Sequence, residues 1–151
     1  MEIHLCYMKY RYRSSIVPVK HKISVSARFD KTLYRSITSY ATVLYGQFIV
    51  IMADETATTV GGCSTDSSVH VIKTIEQMTG VQMFNRTLLA FFIKDKVQTV
   101  PQAQLNYALE NGLLSMDTLY FNNLVNTKAT LETEWLQPIS KSWLAQSIKV
   151  Q

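Results

Sequence analysis

Residues 36–52 read Ser36-Ile-Thr-Ser-Tyr-Ala-Thr-Val-Leu-Tyr-Gly-Gln-Phe-Ile-Val-Ile-Met52. Ile37 to Leu44 is rich in threonine, tyrosine, valine and isoleucine, the β-branched and aromatic side chains that fit a pleated surface. Tyr45-Gly46-Gln47 supplies a turn, and Phe48 to Met52 is a second run of the same kind. Two such runs around a glycine predict a hairpin. The unbroken apolar second run predicts a strand buried on both faces.

Downstream, Asp54 to Gly62 reads as a polar loop of small residues. A helix is predicted from about Asp66 to Thr79, with Val71, Ile72, Ile75 and Met78 on its apolar face. Gly80 stands where a left-handed C-cap belongs. Thr87 to Ile93, Lys94-Asp95-Lys96 and Val97 to Val100 predict another hairpin. Pro101 can open a short helix, with Leu105, Ala108 and Leu109 inward and a stop at Asn111-Gly112. Thr118 to Val125 reads as a strand interrupted by Asn122-Asn123. Two helical pieces are predicted around Pro138, one with Trp135 and Leu136, the other with Trp143 and Leu144. Upstream, Ile3, Leu5 and Tyr7 alternate with His4, Cys6 and Met8, and Ile23, Val25 and Ala27 with Ser24, Ser26 and Arg28. Both patterns suggest strands. Hairpins interspersed with helices predict an α+β fold, a mostly antiparallel sheet with helices packed on one face.

The chain has 151 residues, of which 47% are hydrophobic and 17% charged. That length suits a single domain over residues 1–151, able to bury roughly 70% of its unfolded surface without disulfide or metal support. The formal charge of +4 is uneven. Lys9, Arg11, Arg13, Lys20, Lys22, Arg28, Lys31 and Arg35 face only Glu2 and Asp30 within residues 1–35, so the positive charge belongs to that N-terminal segment. The longest apolar runs, Phe48 to Ala53 and Leu88 to Ile93, are far short of the ~20 residues of a spanning helix. The N-terminus does not show the basic-then-apolar pattern of a signal peptide. The two cysteines, Cys6 and Cys63, are therefore expected as free thiols in a reducing cytoplasm.

From Phe48 onward the chain resembles a family of small proteins from Bacteroidetes-type genomes. The matching segments are Phe48-Ile-Val-Ile-Met-Ala-Asp54, Gly61-Gly-Cys-Ser-Thr-Asp-Ser-Ser-Val-His70, Phe84-Asn-Arg86, Phe121-Asn-Asn-Leu-Val-Asn126 and the Trp135 to Trp143 tail. The resemblance covers roughly residues 36–147. The family carries no activity over to this chain, and its frequent label "ABC transporter ATPase" has no support here. No Gly-x-x-x-x-Gly-Lys-Ser/Thr loop is present to cradle a triphosphate. Residues 1–35 depart from the family's N-terminal pattern of a strand with Trp-Ile-Tyr-Gln-Ser followed by a helix.

The candidate site runs from Asp54-Glu55 to Gly61-Gly62-Cys63-Ser64-Thr65-Asp66-Ser67-Ser68. Gly61 and Gly62 let backbone approach a ligand closely. Free N–H groups at a helix start favour an anion, with Ser64, Ser67 and Ser68 as further donors and Arg86 as a possible cation. Cys63, just before that end, has the setting in which a thiol pKa falls; His70 could serve as its base, with Asp66 one turn away to orient it. A plainer reading makes Ser64, Thr65 and Asp66 N-cap residues, Gly61-Gly62 a turn and Cys63 a small buried apolar group. Asp54, Glu55 and Asp66 also repel an anion and raise a thiol pKa.

Other candidates are weaker. His4, His21, Cys6 and Cys63 have no zinc spacing, and no metal or cofactor is implied. Asp54-Glu55 and Glu132/Glu134 read as solvated surface. Lys9 to Arg13, interleaved with Tyr10 and Tyr12, could stack bases and neutralise phosphates, but a basic edge strand explains them better, so nucleic acid is not the expected partner. Trp135 and Trp143 read as core closure or a partner surface. The sequence thus points to a small binding protein with an anion or small-ligand site at Gly61–Ser68. The alternative is an enzyme with Cys63 as nucleophile.

Overall fold

The aromatic and β-branched run from Phe48 to Asp54 forms the central strand of a three-stranded antiparallel sheet. The computed structural model describes residues 6–9, 38–54 and 62–148. In chain order β1 is Cys6–Lys9, β2 Thr38–Leu44 and β3 Phe48–Asp54. Helix α1 (Gly62–Thr79) follows, then β4 (Leu88–Ile93) and β5 (Lys96–Pro101). A 3-10 turn over Gln102–Gln104 leads into α2 (Leu105–Glu110), and β6 is Leu119–Phe121. The chain continues with α3 (Lys128–Thr133), β7 (Leu136–Pro138), a 3-10 turn at Ile139–Lys141 and α4 (Leu144–Ser147). Every described strand pair is antiparallel, and the fold is α+β. The strand expected over residues 23–28 lies outside the described residues, as does most of the basic segment.

The strands are shared between two sheets, ordered β1-β3-β2 and β5-β4-β6-β7. The chain divides into two compact units, residues 1–84 with 126–128 and residues 85–125 with 129–151.

In the first unit the predicted hairpin closes with Leu44 opposite Phe48 and Val43 opposite Ile49. Its turn takes left-handed backbone at Tyr45 (φ 51°) and Gly46 (φ 64°), and the Gln47 N–H donates to the Leu44 carbonyl at 3.1 Å. Phe48 and Val50 are fully buried, while Ile49 and Ile51 pack against Ile72 and Met83. The period of two thus sends alternate residues to opposite faces, and α1 covers the isoleucine face. Ile72 is fully buried, which stabilises by about 1.5–3 kcal/mol relative to exposure.

Met78 departs from the expected apolar face and is 81% exposed. At 3.6 residues per turn it lies about 120° round the helix from Ile72. Met83, beyond the helix end, fills that part of the core instead.

In the second unit β4 and β5 form the predicted hairpin, Ile93 opposite Lys96. Leu89, Phe91 and Tyr120 share one sheet face with Leu105 and Ala108 of α2, Leu114, Ile139 and Leu144 of α4. The other face carries an aromatic row: Phe92 meets Phe121 edge-on at 6.4 Å, and Phe121 lies 5.0 Å from Trp135. Helix α2 ends as predicted. Gly112 is left-handed (φ 68°), Leu113 N–H donates to Ala108 O at 2.9 Å and Gly112 N–H to Leu109 O at 3.1 Å. This is a Schellman cap. The segment before Pro138 differs from expectation, because Leu136–Pro138 is a strand paired with β6, not a helix. Proline at a strand end on the sheet's outer edge removes no ladder bond that a neighbour needs.

Candidate functional site

Helix α1 begins at Gly62, four residues before the expected start. Ser64, Thr65 and Asp66 are therefore the third to fifth helical residues and not caps. A glycine is tolerated at the first helical position because its N–H has no intrahelical acceptor in any case. Ser64 and Thr65 fall within that first turn, where a hydroxyl can bond to backbone groups that the helix itself leaves unpaired. Gly61 lies outside the described residues. Gly62, Cys63 and Ser64 now hold the places whose backbone N–H groups the helix leaves unpaired, and no acidic residue lies in the first turn.

Asp66 and His70 are both exposed and one turn apart on α1. Cys63 and His70 are seven residues apart on the same helix, about 10 Å along its axis at 1.5 Å per residue. That exceeds what an imidazole can span to hydrogen-bond a thiol. Ser67 belongs to α1, and Ser68 is half-buried there. Arg86 is exposed in a turn of the second unit. Beside it, the Asn85 carboxamide oxygen accepts from the Thr87 N–H at 3.0 Å and the Thr87 hydroxyl at 2.7 Å.

Two features were not visible in the sequence. At the other end of α1, Gly80 (φ 67°) donates its N–H to Glu76 O at 2.8 Å, the left-handed cap expected there. The Glu76 carboxylate in addition accepts the backbone N–H groups of Met83 and, at 3.3 Å, of Phe84. A shallow open depression lies against this bend, lined by Glu76, Gln77, Gly80, Val81 and Gln82. A glutamate in a last helical turn reads as solvated surface in a sequence; only the folded-back chain gives it partners.

The second feature is a buried polar group in the second unit. The Tyr120 ring lies edge-on to Trp143 at 6.5 Å. Burial raises the Tyr120 phenol above its ordinary value near 10, opposed by the Trp143 indole N–H and the Asn123 backbone N–H. The indole N–H approaches the hydroxyl without reaching good hydrogen-bond geometry, and Asn123 Oδ1 is likewise buried without a bond. Trp135 is buried and Trp143 half-buried, so both tryptophans close the core of this unit.

No described helix is long and apolar enough to cross a membrane. Comparison with known proteins finds no family model, no curated protein and no solved structure that matches the chain.

Proposed function

We propose that this chain is a small binding or interaction protein that takes a small anion at the Gly61–Ser68 segment. The observation that carries the reading is the early start of α1. Three successive backbone N–H groups, from Gly62 to Ser64, stand at the positive end of an 18-residue helix, the ordinary recipe for holding a phosphate or carboxylate. The nearest carboxylate on the helix, Asp66, lies beyond the first turn, which lessens its repulsion. A reducing cytoplasm remains the proposed setting, with Cys63 a free thiol.

The test is a titration of the full chain with inorganic phosphate, followed by amide chemical shifts. Saturable shifts confined to Gly62, Cys63 and Ser64, and lost in Gly62→Val, are expected. Shifts that never saturate, or that spread evenly over the chain, would remove the reading.

The cysteine-enzyme alternative is less well supported, because the axial distance from Cys63 to His70 leaves the thiol without that base. Its test is the alkylation rate of Cys63 between about pH 5 and 9 in a Cys6→Ser background. A thiolate titrating well below the ordinary value of about 8.5, and slowed by His70→Ala, would reinstate it.

A further inference from the structure

The Asn111-Gly112 pair is the one asparagine–glycine step in the chain, and both residues are exposed. Such a step is chemically reactive. The glycine, lacking a side chain, leaves its amide nitrogen open to attack the asparagine Cγ. A bond forms between Gly112 N and Asn111 Cγ, the side-chain nitrogen departs as ammonia with the proton lost from Gly112 N, and a cyclic imide results. Water then adds to either imide carbonyl, giving aspartate or isoaspartate at position 111. The net change is one water consumed and one ammonia released.

The fold opposes each requirement of that closure. The five-membered ring needs Asn111 Cβ and Gly112 N nearly eclipsed about the Cα–C bond. Asn111 has ψ 9°, which eclipses its own backbone nitrogen with that of Gly112 and, on a tetrahedral Cα, turns Cβ well away. The attacking nitrogen must shed its proton, yet the Gly112 N–H is committed to Leu109 O at 3.1 Å. The side chain must swing toward the glycine, yet its amide donates back to Tyr107 O at 2.8 Å. All three restraints belong to one element, the C-cap of α2.

We propose that Asn111-Gly112 is a latent deamidation site that the α2 cap holds shut, and that modification there follows fraying of this helix end. The change also stabilises the frayed state. A carboxylate at position 111 cannot donate to Tyr107 O and sets negative charge beside carbonyl oxygens, while isoaspartate adds a backbone carbon that the cap cannot accommodate.

The experiment compares the full chain in mildly alkaline buffer with the same chain unfolded in urea, reading ammonia loss and isoaspartate at residue 111 by fragmentation mass spectrometry. In urea, Asn111 is expected to react ahead of the chain's other asparagines, and folding is expected to slow it ten-fold or more, about what ~1.4 kcal/mol of protection supplies. Glu110→Gly weakens the last turn of α2 at an exposed position. It should raise the rate in native buffer by about five-fold, from the poor helix propensity of glycine. Equal rates in the folded and unfolded chain, an unreactive Asn111 in urea, or a Glu110→Gly rate equal to the parent's would each overturn the proposal.

Discussion

Glu76 shows how much a single side chain can hold. Its carboxylate gathers the N–H groups of Met83 and Phe84 after the chain has turned at Gly80, and so fixes the segment that delivers Met83 to the core beside Ile72. Glu76→Ala leaves two donors without their acceptor, at a cost of about 1–3 kcal/mol. Denaturant unfolding should show that loss, with Glu76→Gln recovering part of it because the amide oxygen still accepts. At this scale the sequence was legible where backbone chemistry is local. Gly80 and Gly112 announce their caps because few other residues adopt positive φ cheaply. Glu76 was not legible, since its partners lie seven and eight residues on and depend on how the chain folds back. Met78 was misplaced for a different reason: it fits a loose apolar periodicity, but the buried stripe is narrower than that pattern and centres on Ile72.

Among the elements, both hairpins were readable from alternation around a turn, and the structure adds a cost that the sequence concealed. The β4–β5 turn places Lys94 (φ 48°) and Asp95 (φ 59°) in left-handed backbone, where an ordinary side chain pays roughly 1–2 kcal/mol. Lys94→Asn with Asp95→Gly supplies the residues this turn favours. The pair is expected to raise stability by about 1 kcal/mol or more in denaturant unfolding; a loss would mean the native side chains make compensating contacts. Helix α1 was legible in kind and end but not in start. Serine and threonine serve as caps and as first-turn residues alike, so the start lies four residues earlier than the Ser64-Thr65-Asp66 run implies, and with it move the backbone groups that define the candidate site. The Leu136–Pro138 strand was missed because three residues carry no period.

Across the molecule, the α+β class was legible and the division of strands between two sheets was not, because alternation gives each strand its faces but not its neighbours. Tyr120, in the core of the second unit, ties stability to pH. Its phenol is raised by burial, so the folded state holds the proton more tightly than the unfolded chain. The sign follows: this contribution is complete below the unfolded value of about 10 and is lost as pH rises through the folded value. Melting temperature should therefore fall above about pH 10. Tyr120→Phe should flatten that fall, whereas Tyr107→Phe, at an exposed position, should leave it unchanged.

Met78, in the last turn of α1, and Met83, four residues past its end, differ sharply in their surroundings, one 81% exposed and the other 3%. Peroxide reaches a thioether only where solvent does, and a sulfoxide is polar enough to disrupt a core but not a surface. Met78 should thus be oxidised rapidly with little change in melting temperature, and Met83 only as fast as its unit opens. The ratio of the two sulfoxides, read by peptide mass, then reports how often that unit opens under native conditions.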